Sequence, residues 1–493
     1  MVIGVDFDNT IVSYDRLFEQ LARERGLNVP SGKKAIRDQI RLLPEGEIEW
    51  QKLQGMAYGP RIQEAEIVPG VEEFFDACHQ HDIPIVIISH KTEFAGYDET
   101  RTNLREAARA WLKEHGLGNE TVYFAGTRAE KIALIKRLDC TVFVDDLEET
   151  FCEPDFPPGV EKILFAPHGH APVPGVTICP TWQEIRERVF FSHLLGRAVK
   201  TMEWIGGGGN SRIYKLDGPY AGKVYFDRKR LETEFAALQF CWEHGIRCVP
   251  QPIGADPMAN LAVYEFIAGE KPSPTESDIL AAVEFLDTLK HLSVHGAHLP
   301  LAAEACFSIH EIIANIDARL ARLAVVPALQ EFLTREFVPL LDRFRSLPDS
   351  VAEERQLSPS DFGFHNALRR PDGQLVFLDF EYFGWDDPAK MVCDFLLHPA
   401  MNLSENLRGL FYRHFAKNKK LAKRVETVYP LFGLKWITIL LNEFLPEDLR
   451  RRGFASGGTL DRAAVQARQL EKARRMLDRV RRDYEMFPFR NYT

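Results

Sequence analysis

Across residues 1–190 the chain alternates short apolar runs with segments whose apolar positions recur at i, i+3 and i+4. The runs "VIGVDF", "IPIVIIS", "TVYFAG", "TVFVDD", "KILFAP" and "VTICP" are rich in Val, Ile and Phe, as strands buried on both faces are. Between them, "NLREAARAWLKEHG" and "AEKIALIKRL" read as amphipathic helices. This alternation predicts a parallel α/β sheet whose ligands gather at the carboxyl ends of its strands. Residues 13–68 interrupt it with a mostly helical insertion, placed to cap those ends. Near residue 200 the pattern changes. "WIGGGGNSRIYKLDGPYAGKVYF" gives two alternating strands around a glycine cluster and a turn, and the chain is mainly helical after about residue 275. The Pro/Gly-rich stretch 154–175 is not read as a linker, because strand-like "KILFAP" lies inside it. The expected domains are 1–192 and 193–493, the second with a strand-rich lobe over about 200–268 and a helical lobe over about 275–493.

At 493 residues the chain exceeds one ordinary core, in keeping with two or three domains. Hydrophobic and charged contents of 45% and 27% describe a soluble globular protein. A net charge of −10 opposes general binding of nucleic acid or anionic membrane, so neither is expected as a partner. The basic tail ("LRRRGF", then "EKARRMLDRVRRDYEMF") mixes arginines with acids and apolar residues and reads as an amphipathic helix. Eight cysteines form no CxxC pair, and Cys241 and Cys248, the closest two, match no zinc spacing. Reduced thiols and a cytoplasmic location are expected, as no cleavable apolar segment precedes the first strand. The run "LFGLKWITILLNEFL" (431–445) is too short to span a bilayer and contains Lys435 and Glu443, so it reads as a buried helix.

Charged residues cluster at the strand ends. Asp6 and Asp8 share one side as the chain leaves the first strand. Ser89 ends "IPIVIIS", Lys131 opens a helix, and Asp145 and Asp146 end "VFVDD". Hydrolysis of a phosphate ester through an aspartyl-phosphate needs a carboxylate nucleophile, an acid for the leaving oxygen, and cations to absorb charge. Asp6 suits the first role, Asp8 the second and Lys131 the third, with Lys91 as an alternative cation. Ser89 would hold a phosphoryl oxygen, and Asp6, Asp8, Asp145 and Asp146 offer the hard oxygens that Mg2+ prefers. These residues, with Thr10 completing DxDxT, resemble the motifs of the haloacid dehalogenase (HAD) superfamily over residues 1–188. A second acid at position 8 resembles its phosphatase members, and the insertion sits where that family carries a C1-type cap. The resemblance implies a Rossmannoid parallel sheet, a Mg2+ cofactor and a small-molecule phosphate ester as substrate.

A second constellation follows residue 200. Glycines such as Gly207 and Gly208, followed by Asn210, let backbone N–H groups approach phosphate. Lys223 lies on the next strand, and Glu234 (or Glu232) opens a helix from which it would pair with Lys223. Asp361 and Asn366, in "SDFGFHN", suit a catalytic base and a metal ligand, and Asp379 ends "LVFLDFE" as a second ligand. This set, with the hinge-like "LAVYEFIAGE" and "GWDDPAKMVCDF", resembles the aminoglycoside phosphotransferase and choline kinase group of the protein-kinase-like fold over about 200–450. The resemblance implies a bilobal α+β domain that uses ATP and Mg2+ to phosphorylate a small-molecule hydroxyl, on a sugar or amino alcohol. In one respect the sequence departs from that group. Pro359 and Ser360 stand where His-Gly usually precedes the base, and His365, on the other side of Asp361, does not restore the histidine.

His291, His295 and His298 are read as structural, and Trp436 as core. Tyr382 and Trp385 lie where an acceptor would sit, while Asp386 and Asp387 either attract an amine or serve the fold. The whole reads as a bifunctional phosphatase and phosphotransferase. Two alternatives stay open: an active kinase with a regulatory HAD-like domain, and a protein kinase–phosphatase switch.

Overall fold

The computed structural model describes residues 1–27, 32–97, 100–207, 210–401, 403–448 and 461–492. The chain divides into two compact units, Met1–Lys200 and Thr201–Thr493. This division falls at 200/201 rather than 192/193. The helix Trp182–Leu195 runs past the sequence-based boundary and buries Trp182, Ile185, Val189 and Phe190 within the first unit.

The first unit is built on strands β1 (Ile3–Val5), β4 (Ile85–His90), β5 (Thr121–Ala125), β6 (Val142–Asp145), β7 (Glu161–Phe165) and β8 (Thr177–Cys179). A short pair, β2 (Val12–Ser13) and β3 (Glu66–Ile67), lies apart from them. The main sheet has the order β5-β4-β1-β6-β7-β8, and every pairing in it is parallel. The chain runs from β1 to β4 and β5 on one side and crosses from β5 to β6 on the other, so the strand order reverses at β1, where a crevice opens at the carboxyl ends. Gly4 lets β1 lie against its neighbours, because a Cβ there would come within 2.5 Å of the Phe143 ring.

Between β2 and β3 the insertion folds into the helices Asp15–Glu24, Lys33–Ile40 and Gly46–Tyr58, the mostly helical character expected of it. Antiparallel pairing of Val12 with Ile67 and Ser13 with Glu66 closes it at the base. Phe18 stacks on Trp50, and Tyr14 meets Tyr58 edge-on, which gives the insertion its own small aromatic core.

The second unit opens with an antiparallel sheet ordered β12-β13-β11-β10-β9, from β9 (Met202–Gly206), β10 (Ser211–Leu216), β11 (Tyr220–Tyr225), β12 (Pro252–Asp256) and β13 (Leu261–Glu265). The helix Arg228–Glu243, capped by Asp227, follows β11. It starts two turns earlier than expected, so Glu234 lies within the helix rather than opening it. Two further pairs, β14 (Gln356–Ser358) with β17 (Gly384–Asp386) and β15 (Ala367–Arg369) with β16 (Leu375–Phe377), carry the acidic loops. Around them pack the helices Glu276–Leu292, Pro388–Leu397, Lys419–Leu440 and Arg462–Glu485. Most of 431–445 lies in Lys419–Leu440 and is buried. Among the described residues no helix is long and apolar enough to cross a membrane. "LRRRGF" lies outside the described residues, whereas the rest of the basic tail forms Arg462–Glu485.

Candidate active sites

Three adjacent strands of the parallel sheet deliver the first cluster. Asp6 follows β1 with its backbone N–H still bonded to the Val144 carbonyl, Ser89 lies near the end of β4, and Asp145 ends β6. Lys131 enters from the first turn of Arg128–Arg137, a helix capped by Thr127. Its Nζ donates to Asp6 Oδ1 and Asp145 Oδ2, both at 2.6 Å, and all three side chains are buried. Lys91 holds the other acid: its Nζ reaches Asp8 Oδ1 and Oδ2 at 2.9 and 2.8 Å, and the Tyr14 hydroxyl donates to Oδ1 at 2.6 Å. The two lysines therefore divide the work, Lys131 serving Asp6 and Lys91 serving Asp8.

Crowding of acids in a buried crevice sets the electrostatics. Burial, then Asp145 and Asp8, push Asp6 up to about 7 against the pull of Lys131. Burial with Asp6 and Asp145 raises Asp146 well above the carboxylate range. Asp6, Asp145 and Asp146 bring one oxygen each within 4.8 Å of one another, a donor set of hard oxygens that fits Mg2+. The hydroxyls of Ser89 and Thr10 are buried and have no hydrogen-bond partner among the described residues. Buried polar groups are ordinarily satisfied, so these two hydroxyls are left as unused donors.

Sequence reasoning missed Lys33, which the insertion contributes. Its Nζ donates to Asn9 Oδ1 at 3.1 Å and lies over the Phe18 and Tyr58 rings. Tyr58, Asp146 and Asp8 hold its ammonium above the ordinary range although burial opposes them. No motif marks it, because its role depends on the fold of the insertion.

The raised acids make cation binding compete with protons. Carboxyls whose folded pKa exceeds the unfolded value favour the folded state at low pH, and that contribution is lost as pH rises toward 7. A divalent cation bound among these acids would replace the lost protons. Mg2+ is therefore expected to raise the melting temperature more at pH 8 than at pH 5, the stabilisation at pH 8 amounting to about 2.7 kcal/mol at a hundredfold excess over Kd. Calorimetry of wild type and Asp146→Asn with Mg2+ or EDTA checks this, the pH-dependent increment shrinking in the variant. An equal increment at both pH values would contradict it.

In the second unit Lys223, on β11, donates from Nζ to Glu234 Oε2 at 2.7 Å and to Asp379 Oδ1 at 2.9 Å. The Tyr225 hydroxyl also donates to Glu234 Oε2, and the Phe380 N–H to Oε1. Glu232 instead pairs with Arg228 on the surface. Removing Glu234 leaves Lys223 and Tyr225 with a buried deficit, so Glu234→Leu is expected to destabilise by about 3–5 kcal/mol in urea unfolding. A loss below about 1 kcal/mol would show that Asp379 alone satisfies Lys223.

Glu381, two residues beyond Asp379, joins this cluster. Glu234, Asp379 and Glu381 bring an oxygen each within 4.8 Å, and burial with Asp379 pushes Glu381 up to about 7 against Lys223 and Arg230. Strand alternation does not place it, since β16 ends at Phe377 and Asp379 is left-handed at φ 66°; the only signal was a second acid in "LDFE". Asn210 donates from Nδ2 to Glu381 Oε1 at 2.7 Å, tying the end of the glycine run to the acids. Gly207 is needed there, since a Cβ would meet the Ser211 carbonyl at 2.0 Å; Gly208 lies outside the described residues. These oxygens suit Mg2+ by donor type, and Lys223 with the loop suits a nucleotide phosphate.

Asp361 follows β14. The Nε2 atoms of His365 and His398 lie 3.1 and 3.2 Å from its Oδ1 and hold its carboxyl well below the usual range although burial opposes them. His365 thus contacts Asp361, although it follows it in the chain: the turn Phe364–Asn366 folds its side chain back onto that carboxylate. Asn366 donates from Nδ2 to the Asp361 carbonyl at 3.1 Å. Ser360 adopts φ 65°, a left-handed conformation that favours glycine. Its hydroxyl accepts from Lys390 and its N–H donates to Ser358, bonds that offset the strain where a glycine is usual.

The open question about Asp386 and Asp387 closes in favour of the fold. Asp386 is fully buried with Lys390 at 2.7 Å, and Asp387 pairs with Arg424 at 2.6 Å. Trp385 donates to the Gly296 carbonyl, and Tyr382 lies under the Arg230 guanidinium at 4.0 Å. His295 stacks on His244, and His298 lies against Phe240.

Residues 202–425 match the sequence model of the APH family, described as the phosphotransferase enzyme family, so the second unit contains a kinase-like phosphotransferase domain. Similar solved structures include three small-molecule kinases. A choline/ethanolamine kinase family protein from Mesorhizobium loti is 17% identical, with 59% of this chain and 90% of that one covered at a TM-score of 0.40. The choline kinase LicA from Streptococcus pneumoniae is 16% identical, covering 60% and 99% at 0.42. The spectinomycin phosphotransferase APH(9)-Ia, in complex with ADP and spectinomycin, is 12% identical, covering 60% and 98% at 0.43. No curated protein matches the chain.

Proposed function

We propose that the chain is bifunctional. Its second unit transfers the γ-phosphoryl group of ATP to a hydroxyl of a small molecule, a sugar or amino alcohol. Its first unit, read as a HAD-type phosphatase, hydrolyses a phosphate ester. The observation that carries the first half is the junction of Lys223, Glu234, Asp379 and Glu381 within a phosphotransferase-family domain that also presents Asp361 on a neighbouring loop.

In the transfer, Lys223 holds nucleotide phosphate oxygens, and Glu234 keeps its ammonium aimed. Asp361 takes the acceptor proton as the acceptor oxygen bonds to the γ-phosphorus and the bond to the departing diphosphate breaks. Asn366 and Asp379, with Glu381 beside them, would hold Mg2+, which would supply neutralisation of the phosphate charge. In the hydrolysis, the Asp6 oxygen not held by Lys131 bonds to phosphorus as the bond from phosphorus to the ester oxygen breaks, and Asp8, in its protonated form, gives that leaving oxygen its proton and later recovers one from the attacking water. Water then cleaves the aspartyl-phosphate. Ser89 and Thr10 donate to phosphoryl oxygens, which would satisfy both orphan hydroxyls. Mg2+ on Asp6, Asp145 and Asp146, with Asp8 nearby, would offset the negative charge gathered there.

Phosphorus NMR of the full chain with ATP, Mg2+, pooled small hydroxyl metabolites and pooled phosphate esters tests both halves. A new ester formed at the expense of ATP, together with release of inorganic phosphate from an added ester, is the expected result. Ester cleavage with ATP untouched would overturn the transferase, and transfer without cleavage would leave the first unit as a binding domain.

A further inference from the structure

We propose that His398 is a positioning residue for Asp361, and that with His365 it supplies the support missing where Pro359 and Ser360 replace His-Gly. The proposal rests on the reading of Asp361 as base. His398 directly follows the helix Pro388–Leu397. Its ring lies parallel to that of His365, with centroids 3.7 Å apart and planes at 9°. The edge of Trp436 closes on it at 4.6 Å, and Trp436 Nε1 donates in turn to Asp394 at 2.9 Å. Held in this way, the ring has one direction left for Nε2, toward Asp361 Oδ1.

Tautomer decides what that nitrogen does. His398 Nδ1 accepts a hydrogen bond from the Ala400 N–H at 3.2 Å, so in the neutral ring the proton sits on Nε2. His365 Nδ1 is buried with no partner among the described residues, which likewise leaves Nε2 as the donor. His365 Nε2 is hydrogen-bonded to Oδ1 and His398 Nε2 lies 3.2 Å from the same oxygen, which leaves Oδ2 for the acceptor hydroxyl. The same three residues also form a His2Asp group able to surround a metal ion. A ligating imidazole, however, offers its lone pair and usually donates from its other nitrogen. At His398 that other nitrogen is an acceptor, so the geometry favours a donor over a ligand.

The test compares His398→Phe, which keeps an aromatic ring between His365 and Trp436 but removes the donor, with His398→Gln, which restores an N–H. Once the acceptor is identified, His398→Phe is expected to lower kcat by about 10- to 100-fold, with KM for ATP within about twofold and an unchanged melting temperature. His398→Gln should recover most of kcat. Independently of turnover, nitrogen-15 NMR of the wild type should show the Nε2–H tautomer at His398, unchanged by added Zn2+. Wild-type kcat in His398→Phe, equal losses in both variants, an Nδ1–H tautomer, or a stoichiometric Zn2+ shift would each overturn the proposal. Asp361→Asn run in parallel separates the two failures, since unimpaired turnover there would remove the base assignment itself.

Discussion

Asp6→Asn is expected to lower Mg2+-dependent hydrolysis of 4-nitrophenyl phosphate by about 10⁴-fold or more, as loss of a covalent nucleophile does. The amide nearly preserves the shape of the carboxyl and still accepts a hydrogen bond from Lys131, so the fold should survive. It cannot form an acyl phosphate. Removing one of several crowded acids also relieves repulsion with Asp145 and Asp8, and the variant should melt no lower than wild type at pH 8. Loss of activity without loss of stability separates a nucleophile from a structural acid. Retention of more than about a tenth of the activity would overturn its role.

Asp361→Asn is expected to cost about 10²–10⁴-fold in kcat for phosphoryl transfer, the range of a general base, with ATP affinity kept. Affinity should persist because the groups assigned to the nucleotide, Lys223, Glu234 and Asp379, are bonded to one another and not to Asp361. The asparagine Oδ1 can still accept from His365 and His398, so the loop retains its supports. Calorimetric titration with a non-hydrolysable ATP analogue, beside single-turnover kinetics, checks both parts. A parallel loss of nucleotide binding would show that Asp361 organises the loop and not the proton transfer.

Much of this arrangement was legible before folding. The runs "VIGVDF", "IPIVIIS" and "TVFVDD" had to be buried strands, and strand ends are where polar residues escape an apolar sheet. Asp6, Ser89 and Asp145 could therefore be grouped from strand ends alone. Lys223 and Glu234 were legible because one turn and one helix separate them. His398, Lys33 and Tyr14 were not, since each reaches its partner (Asp361, Asn9 and Asp8) through the packing of another segment, and periodicity carries no information about that. The contact of His365 was not legible for a related reason. Distance along the chain placed it beyond the base, whereas the Phe364–Asn366 turn folds it back. The helix containing Glu234 was shortened because "DRKRLETE" has few apolar positions, and its start depends on the Asp227 cap.

The β2–β3 pair gives the insertion of the first unit a modular character. Val12 faces Ile67, so the chain departs from and rejoins the core at one point on the sheet rim. A turn joining these two positions would leave every strand of the parallel sheet in register. The segment can thus diverge, lengthen or be exchanged as a cassette, carrying Lys33 and Tyr14 with it, while Asp6, Ser89, Lys131 and Asp145 stay where the sheet puts them. A foreign insertion grafted at this junction would keep the sheet residues in place but remove the Tyr14 bond to Asp8 and the Lys33 bond to Asn9, so the donor would have to supply both.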